Sequence, residues 1–288
     1  MRYAAPTSVA EAVELLGSEP GAQVFAGATD LVPQMRAGRP EPTLAVDLKK
    51  IGRLLEVWLD GGTWRIGAAA PTSDLTANPA LASDFPGLVH AAGLIGSDQI
   101  QNRASLGGNL CNASPAADSV PALVVNDARA VVAGPGGERT VQVVDIPTGP
   151  GRTSLQPGEF VVEFLIDRPP ARTADAYLRL IPRTEMDIAI VGAAARLGLD
   201  GNGNCATVAV ALAAVAPTVV LVPAVAEALS GRRIDDDALA AVAAAAGEAT
   251  SPIDDKRGTV AYRRQVAGVL AKRAVLEAAG RAGNGGGR

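Results

Sequence analysis

Residues 205–226 (CATVAVALAAVAPTVVLVPAVA) carry no charged side chain, so this run must be hidden from water in a bilayer or in a protein core. Pro217 and Pro223 interrupt it, and the β-branched residues before each proline suit buried strand rather than lipid-facing helix. The expectation is core, with no membrane insertion. A chain of 288 residues, 48% hydrophobic and 19% charged, is large enough to build that core in one or two domains. Its 30 Asp and Glu outnumber 26 Lys and Arg for a net charge of −4, which leaves no basic footprint for nucleic acid or anionic lipid. The single histidine, His90, and the two cysteines, Cys111 and Cys205, exclude a His-rich zinc site or a four-thiolate iron–sulfur cluster made by this chain alone. Redox work here requires an organic cofactor. Two cysteines make no disulfide framework, and the opening MRYAAPTSVAEAVELL lacks the basic head and apolar core of a signal peptide, so a cytoplasmic location is expected.

Local patterns divide the chain into stretches of different character. Ser8 and Glu11 form a capping box ahead of Val9, Ala12, Val13 and Leu16 at helical spacing. Val24–Ala26 and the run 43–48 (TLAVDL) read as short strands, with Leu31–Ala37 turning into a helix between them. A boundary is expected near 49–55, followed by a hairpin of LEVWL and TWRIGAA around Asp60-Gly61-Gly62. The region 55–172 mixes a helix near 85–95, a glycine-rich passage, and strands at 130–133 and 160–166, which reads as α+β. Beyond 172, AYLRL, DIAIVGAAARL and CATVAVALAAV read as strands, the last two joined by the turn DGNGN. An Ala-rich helix capped at Asp235 and a second helix over 258–279 close the fold, and residues 281–288 read as a flexible tail. The predicted divisions are 1–54, 55–172 and 173–280.

The chemistry concentrates in Gly96–Ala128. Between 105 and 118 stand Ser105, Gly107, Gly108, Asn109, Asn112, Ser114 and Asp118. Paired glycines let backbone N–H groups converge on an anion such as a pyrophosphate, and hydroxyl and amide side chains add neutral donors. A downstream carboxylate accepts from sugar or ribityl hydroxyls. The same composition also suits an irregular buried loop that satisfies its own backbone. Ala26-Gly27-Ala28-Thr29-Asp30 repeats the pattern in miniature after a strand; alone it reads as a strand-to-helix turn with Asp30 as the cap. Gly201-x-Gly203 precedes a strand and is a hairpin turn, not a dinucleotide fingerprint. Asp235–Asp237 read as an acidic helix start, and His90 and Cys111 as packing or surface residues.

Together AGATDL (26–31), QIQNRASLGGNLCNASPAADSVPAL (99–123), PRTEMDIAIVGAAARL (182–197) and DKRGTVAYRRQVAGVLAKRA (255–274) resemble the FAD-binding medium subunit of the molybdenum hydroxylases, the family of xanthine and carbon monoxide dehydrogenases. The resemblance implies an α+β, PCMH-type FAD-binding fold: a small N-terminal α/β subdomain and an α+β middle subdomain enclose FAD. A C-terminal domain of a three-stranded antiparallel sheet and helices follows. By the same resemblance, Ala26, Gly27, Ala28, Thr29, Asp30 and Leu31 bind the FAD diphosphate, and Ser105, Gly107 and Gly108 cradle its other side. Asn109 and Asn112 bond the phosphate or sugar region, Asp118 accepts from a hydroxyl, Val161 packs on the flavin ring, and Arg179 stands where many relatives place a lysine. Ala28 replaces a glycine usual in the family. The implied partners are a large molybdenum–pterin subunit and a small subunit with two 2Fe-2S clusters, in a dimer of heterotrimers. The implied job is electron transfer; a self-contained FAD-dependent oxidoreductase acting on a small molecule is the alternative. Replacing Gly107 or Gly108 with Ala is expected to abolish flavin loading, and flavin retained by both variants overturns the assignment.

Overall fold

The computed structural model describes residues 1–284. Ser8 caps the helix Val9–Ser18 by accepting from the Glu11 N–H at 3.1 Å, while the Glu11 carboxylate accepts from the Thr7 N–H at 2.8 Å. This helix packs on a three-stranded parallel sheet in the order Arg2–Ala4, Leu44–Asp47, Gln23–Phe25. The middle part is a five-stranded antiparallel sheet in the order Val57–Asp60, Thr63–Gly67, Phe160–Asp167, Arg129–Gly134, Gly137–Gln142. Its first hairpin turns at Gly61 (φ 55°) and Gly62 (φ 96°), two consecutive left-handed positions that match the twist of the flanking strands.

The strand Phe160–Asp167 serves two cores because it carries a bulge between Val161 and Glu163. Phe160 and Val162 join the core shared with the N-terminal sheet, whereas Val161, Phe164 and Ile166 join the core beneath the helices Pro86–Gly93 and Ser119–Val125. One inserted residue reverses the alternation of faces. At this junction Glu163 is fully buried between two arginines, Arg53 at 2.6 Å and Arg65 at 2.8 Å, which joins the N-terminal region to the middle sheet.

In the C-terminal part the three expected antiparallel strands are Thr173–Leu180, Val191–Leu199 and Cys205–Ala213, and a two-residue strand, Val220–Leu221, adds a fourth at the edge. The helices Pro223–Leu229 and Val260–Asn284 cover one face of this sheet, and Asp236–Glu248 packs on both helices. The uncharged run 205–226 is therefore a strand, a sheet edge and the start of the helix Pro223–Leu229. Among the described residues, no helix is long and apolar enough to cross a membrane. The last helix corrects the expected tail. It runs through Arg281–Asn284 because Ala278 and Ala282 extend its buried stripe, and Arg281 donates to the Asp175 carbonyl at 2.7 Å. Residues 285–288, the rest of that tail, lie outside the described residues.

The opposite face of the C-terminal sheet docks on the middle part through Tyr177, Ala194 and Ala211 from three strands, and the first of these strands carries a row of polar contacts. Asp175, Tyr177 and Arg179 alternate along Thr173–Leu180, so all three point to the same side. Asp175 accepts from the N–H groups of Gly87 (2.7 Å) and Leu88 (2.9 Å) at the start of Pro86–Gly93, and from the Asn126 amide (2.8 Å). Gly87 is required at this contact, since a Cβ there meets the Ala176 backbone at 2.6 Å. Burial pushes the Asp175 carboxyl above its usual range, against the pull of these donors. Asp175→Ala leaves the Gly87 and Leu88 N–H groups without an acceptor and the Asn126 amide with only its bond to the Ala122 carbonyl, and is expected to cost about 3 kcal/mol of stability. Urea unfolding checks it, and a loss below about 0.5 kcal/mol, the scale of a plain surface change, means that the docking does not depend on this carboxylate.

Candidate functional site

A cleft opens between the N-terminal sheet and the helix Leu106–Cys111 of the middle part. It is lined on one side by Ala26–Leu31, Gln34 and Arg39, and on the other by Ile95, Ala104, Ser105, Gly108, Asn109 and Asn112. A second, mostly apolar cavity shares Val24, Phe25, Ala26, Gly108 and Cys111 with it and adds Gly107, Phe160 and Val161. Of the fourteen residues singled out from the sequence, twelve line one or both cavities, while Asp118 and Arg179 line neither.

Backbone approach builds the cleft. A Cβ on Gly27 would lie 2.0 Å from the Arg103 carbonyl oxygen, and one on Gly107 would lie 2.5 Å from that of Ala68. The next residue, Ala28, holds φ 58°, a left-handed conformation that glycine adopts without strain. The turn leaves five consecutive N–H groups, Gly27 through Leu31, without an acceptor among the described residues. Asp30 stands at the cap position of Leu31–Arg36 but makes no capping bond, which corrects its reading as a helix cap. Its carboxyl is pushed upward by burial.

On the facing side the N–H groups have a different use from the expected cradle. The Gly107 N–H donates to the Ala68 carbonyl at 3.0 Å and the Gly108 N–H to the Ser105 hydroxyl oxygen at 3.1 Å. These two glycines give shape, and the donors come from side chains. Asn109 Oδ1 accepts from the Ser119 N–H (3.2 Å) and hydroxyl (2.7 Å), which leaves its amide N–H₂ for the cleft. Arg39 Nη1 donates to Gln34 Oε1. An arginine only donates, so Gln34 must turn its oxygen to Arg39 and its nitrogen to Asn112 Oδ1, at 2.9 Å. Asn112 then also offers an N–H₂. Thr29 and Ser105 add hydroxyls. The cleft presents convergent donors, the arrangement for a multiply accepting anion.

Cys111 lines both cavities, and burial pushes its thiol up to about 12, so it stays protonated and is no nucleophile. Val161 sits at the apolar end beside Phe160. Asp118 accepts from the Tyr177 hydroxyl at 2.8 Å and from Arg179 Nη1 at 2.7 Å. Asp118, expected to accept from a cofactor hydroxyl, and Arg179, expected where relatives place a lysine, are instead buried and paired with each other. Ser119, next in the chain, connects this pair to Asn109. Sequence reasoning missed Gln34, Arg39 and Tyr177. The alternation Asp175-x-Tyr177-x-Arg179 was a usable sign of the last; nothing local marks the first two. Ala28→Gly is expected to raise stability by about 0.5 kcal/mol, the left-handed strain of roughly 1–2 kcal/mol less the glycine entropy. Thermal unfolding checks it, and a lower midpoint means that Ala28 stores no strain.

Residues 1–169 match the family described as the FAD binding domain in molybdopterin dehydrogenase, and residues 176–278 match the CO dehydrogenase flavoprotein C-terminal domain. The chain is 34% identical over 285 residues to the carbon monoxide dehydrogenase medium chain of Afipia carboxidovorans, covering 98% of each. It is 29% identical over 283 residues to the xanthine dehydrogenase FAD-binding subunit of Escherichia coli O157:H7, covering 98% of this chain and 97% of that one. Its fold superimposes on a chain of the carbon monoxide dehydrogenase from Hydrogenophaga pseudoflava with a TM-score of 0.93 at 33% identity, covering 98% of both. The convergent donors and the adjoining apolar cavity suit the diphosphate and ring of such a nucleotide. The chain belongs to the FAD-binding medium subunits of the molybdenum hydroxylases.

Proposed function

We propose that this chain is the electron-transfer subunit of a cytoplasmic molybdenum-containing hydroxylase or dehydrogenase. Electrons enter from 2Fe-2S clusters in a small partner subunit, reduced in turn by a large molybdenum–pterin subunit, and leave to an external acceptor. Bound FAD supplies the one- and two-electron chemistry between these ends. The assembly is a dimer of such heterotrimers. The observation that carries this reading is the one-way polarity of the cleft: five N–H groups from Gly27 to Leu31 face the amides of Asn109 and Asn112, and a diphosphate has only acceptors to offer them.

Each residue then has a physical task. The N–H groups of 27–31 and the Thr29 hydroxyl hold the diphosphate, and Asn109, Asn112 and Ser105 donate from the other side. Gly107 and Gly108 keep that wall low enough for the nucleotide to approach. Val161 and Phe160 supply an apolar surface for the flavin ring. Asp118 and Arg179 support the site from behind, the carboxylate fixing the guanidinium through Oδ2 and the Tyr177 hydroxyl through Oδ1. The titratable side chains lining the two cavities are Asp30, Arg39, Cys111 and Glu159. No histidine stands among them and the thiol is protonated, so the carboxylates of Asp30 and Glu159 are the acid–base groups that remain, and Glu159 is tied to Arg139.

An absorption spectrum of the purified chain mixed with FAD tests the reading. Flavin bands are expected that purines, aldehydes and N-heterocycles leave unbleached until the partner subunits are added. Bleaching of the isolated chain by one of these compounds means a self-contained FAD-dependent oxidoreductase, and no FAD uptake even with partners present means a scaffold. Gly27→Ala, whose Cβ would lie 2.0 Å from the Arg103 carbonyl oxygen, is expected to lose the flavin bands.

A further inference from the structure

The cleft holds one charge that neither the sequence motifs nor the family match assigns. Arg39 follows the helix Leu31–Arg36 and is the only lysine or arginine among the described residues lining either cavity. The other charged residues in the linings are Asp30 and Glu159, both acidic. Glu159 is already paired with Arg139 at 2.7 Å, so a diphosphate brought into such a site meets Asp30 as the uncompensated like charge, in a chain whose net charge is already −4. Neutral N–H donors orient it but do not cancel that charge.

The guanidinium of Arg39 is held in place from two sides. Nη1 donates to Gln34 Oε1, and Nη2 reaches Gln23 Oε1 at 3.3 Å. An arginine has five N–H donors, so three remain free. Gln34 passes the constraint on through its donation to Asn112 Oδ1 at 2.9 Å, which joins the N-terminal part to the helix Leu106–Cys111 across the cleft. The arginine is exposed and Gln34 and Asn112 are half-buried, which places the chain of bonds at the rim.

We propose that Arg39 is the countercharge that retains the FAD diphosphate. The relay from Arg39 through Gln34 to Asn112 is a strap over the cleft that slows cofactor release. Gln34 is a positioning residue: it orients the guanidinium and fixes Asn112 as a donor toward the cofactor. The inference rests on the reading of this cleft as the FAD site.

The test measures FAD affinity and release by fluorescence on the full-length chain, at low and high salt. Arg39→Gln is expected to weaken FAD binding about 10- to 100-fold, the range for a lost charge-assisted bond, and to flatten its salt dependence. Arg39→Lys restores the salt dependence but not the slow release, because an ammonium lacks the planar fork that spans two glutamines. Gln34→Ala speeds release while keeping the salt dependence. Far-ultraviolet circular dichroism and thermal unfolding of the FAD-free variants separate loss of contact from loss of fold, since Arg39 is exposed and its removal leaves both unchanged. Wild-type affinity and salt dependence in Arg39→Gln overturn this inference alone. No FAD uptake by the wild-type chain, with partner subunits present or absent, overturns the functional reading and this inference together.

Discussion

The carboxylate of Asp175 is the contact on which the arrangement of the middle and C-terminal parts depends. It is fully enclosed and takes the first two N–H groups of the helix Pro86–Gly93 together with the Asn126 amide. A carboxylate removed from water is tolerated only where donors replace its hydration. It therefore fixes the strand Thr173–Leu180 at one height against that helix. Two and four residues along, Tyr177 and Arg179 reach Asp118 from the same face. Burial and the neighbouring carboxylate push the Tyr177 hydroxyl well above its ordinary range, so it stays a donor. A single strand thus sets a row of polar contacts whose far end stands one residue from Ser119, the partner of Asn109 in the cleft wall.

The cleft itself follows from a rule of hydrogen bonding rather than from net charge. Groups that only donate impose direction on groups that do both. Arg39 fixes Gln34, which fixes Asn112; Ser119 fixes Asn109. Both asparagines are left facing the cleft as donors, opposite a turn whose five N–H groups have no acceptor among the described residues. The turn exists because Gly27 lets one backbone run against another, with the Arg103 carbonyl oxygen where a Cβ would stand. The FAD-binding family to which the chain belongs accords with this polarity.

Much of this was legible in the residues. The capping box at Ser8 and Glu11, the hairpin at Gly61 and Gly62, and the three C-terminal strands follow from spacing and turn chemistry that act within a few residues. The glycine-rich passage was marked by composition, and Gly27 and Gly107 are where backbone approach demands them. The other side of the reading was also partly right, since the Gly108 N–H is satisfied inside the loop by Ser105, while that of Gly107 goes to the Ala68 carbonyl outside it. The Asp118–Arg179 pair escaped because its members are 61 residues apart and nothing local to either names the other. The tail was misplaced because glycines at 280 and 283 look like a helix end, whereas Ala278 and Ala282 find a sheet to pack against.

By itself the sequence determined where strands, helices and turns form and which two loops carry the small and polar residues of a cofactor site, because hydrophobic period, capping and glycine requirements are local. It also determined a limit: one histidine and two cysteines cannot by themselves build a His-rich zinc site or a four-thiolate iron–sulfur cluster. Only the tertiary structure decided which of the polar groups in those loops remain free. Whether an N–H, an amide or a guanidinium faces a ligand or a neighbour depends on groups brought close by packing: Ala68 against Gly107, Gln34 against Asn112, Tyr177 against Asp118. Hydrogen-bond capacity is fixed by residue type, but its assignment is set by distance in space.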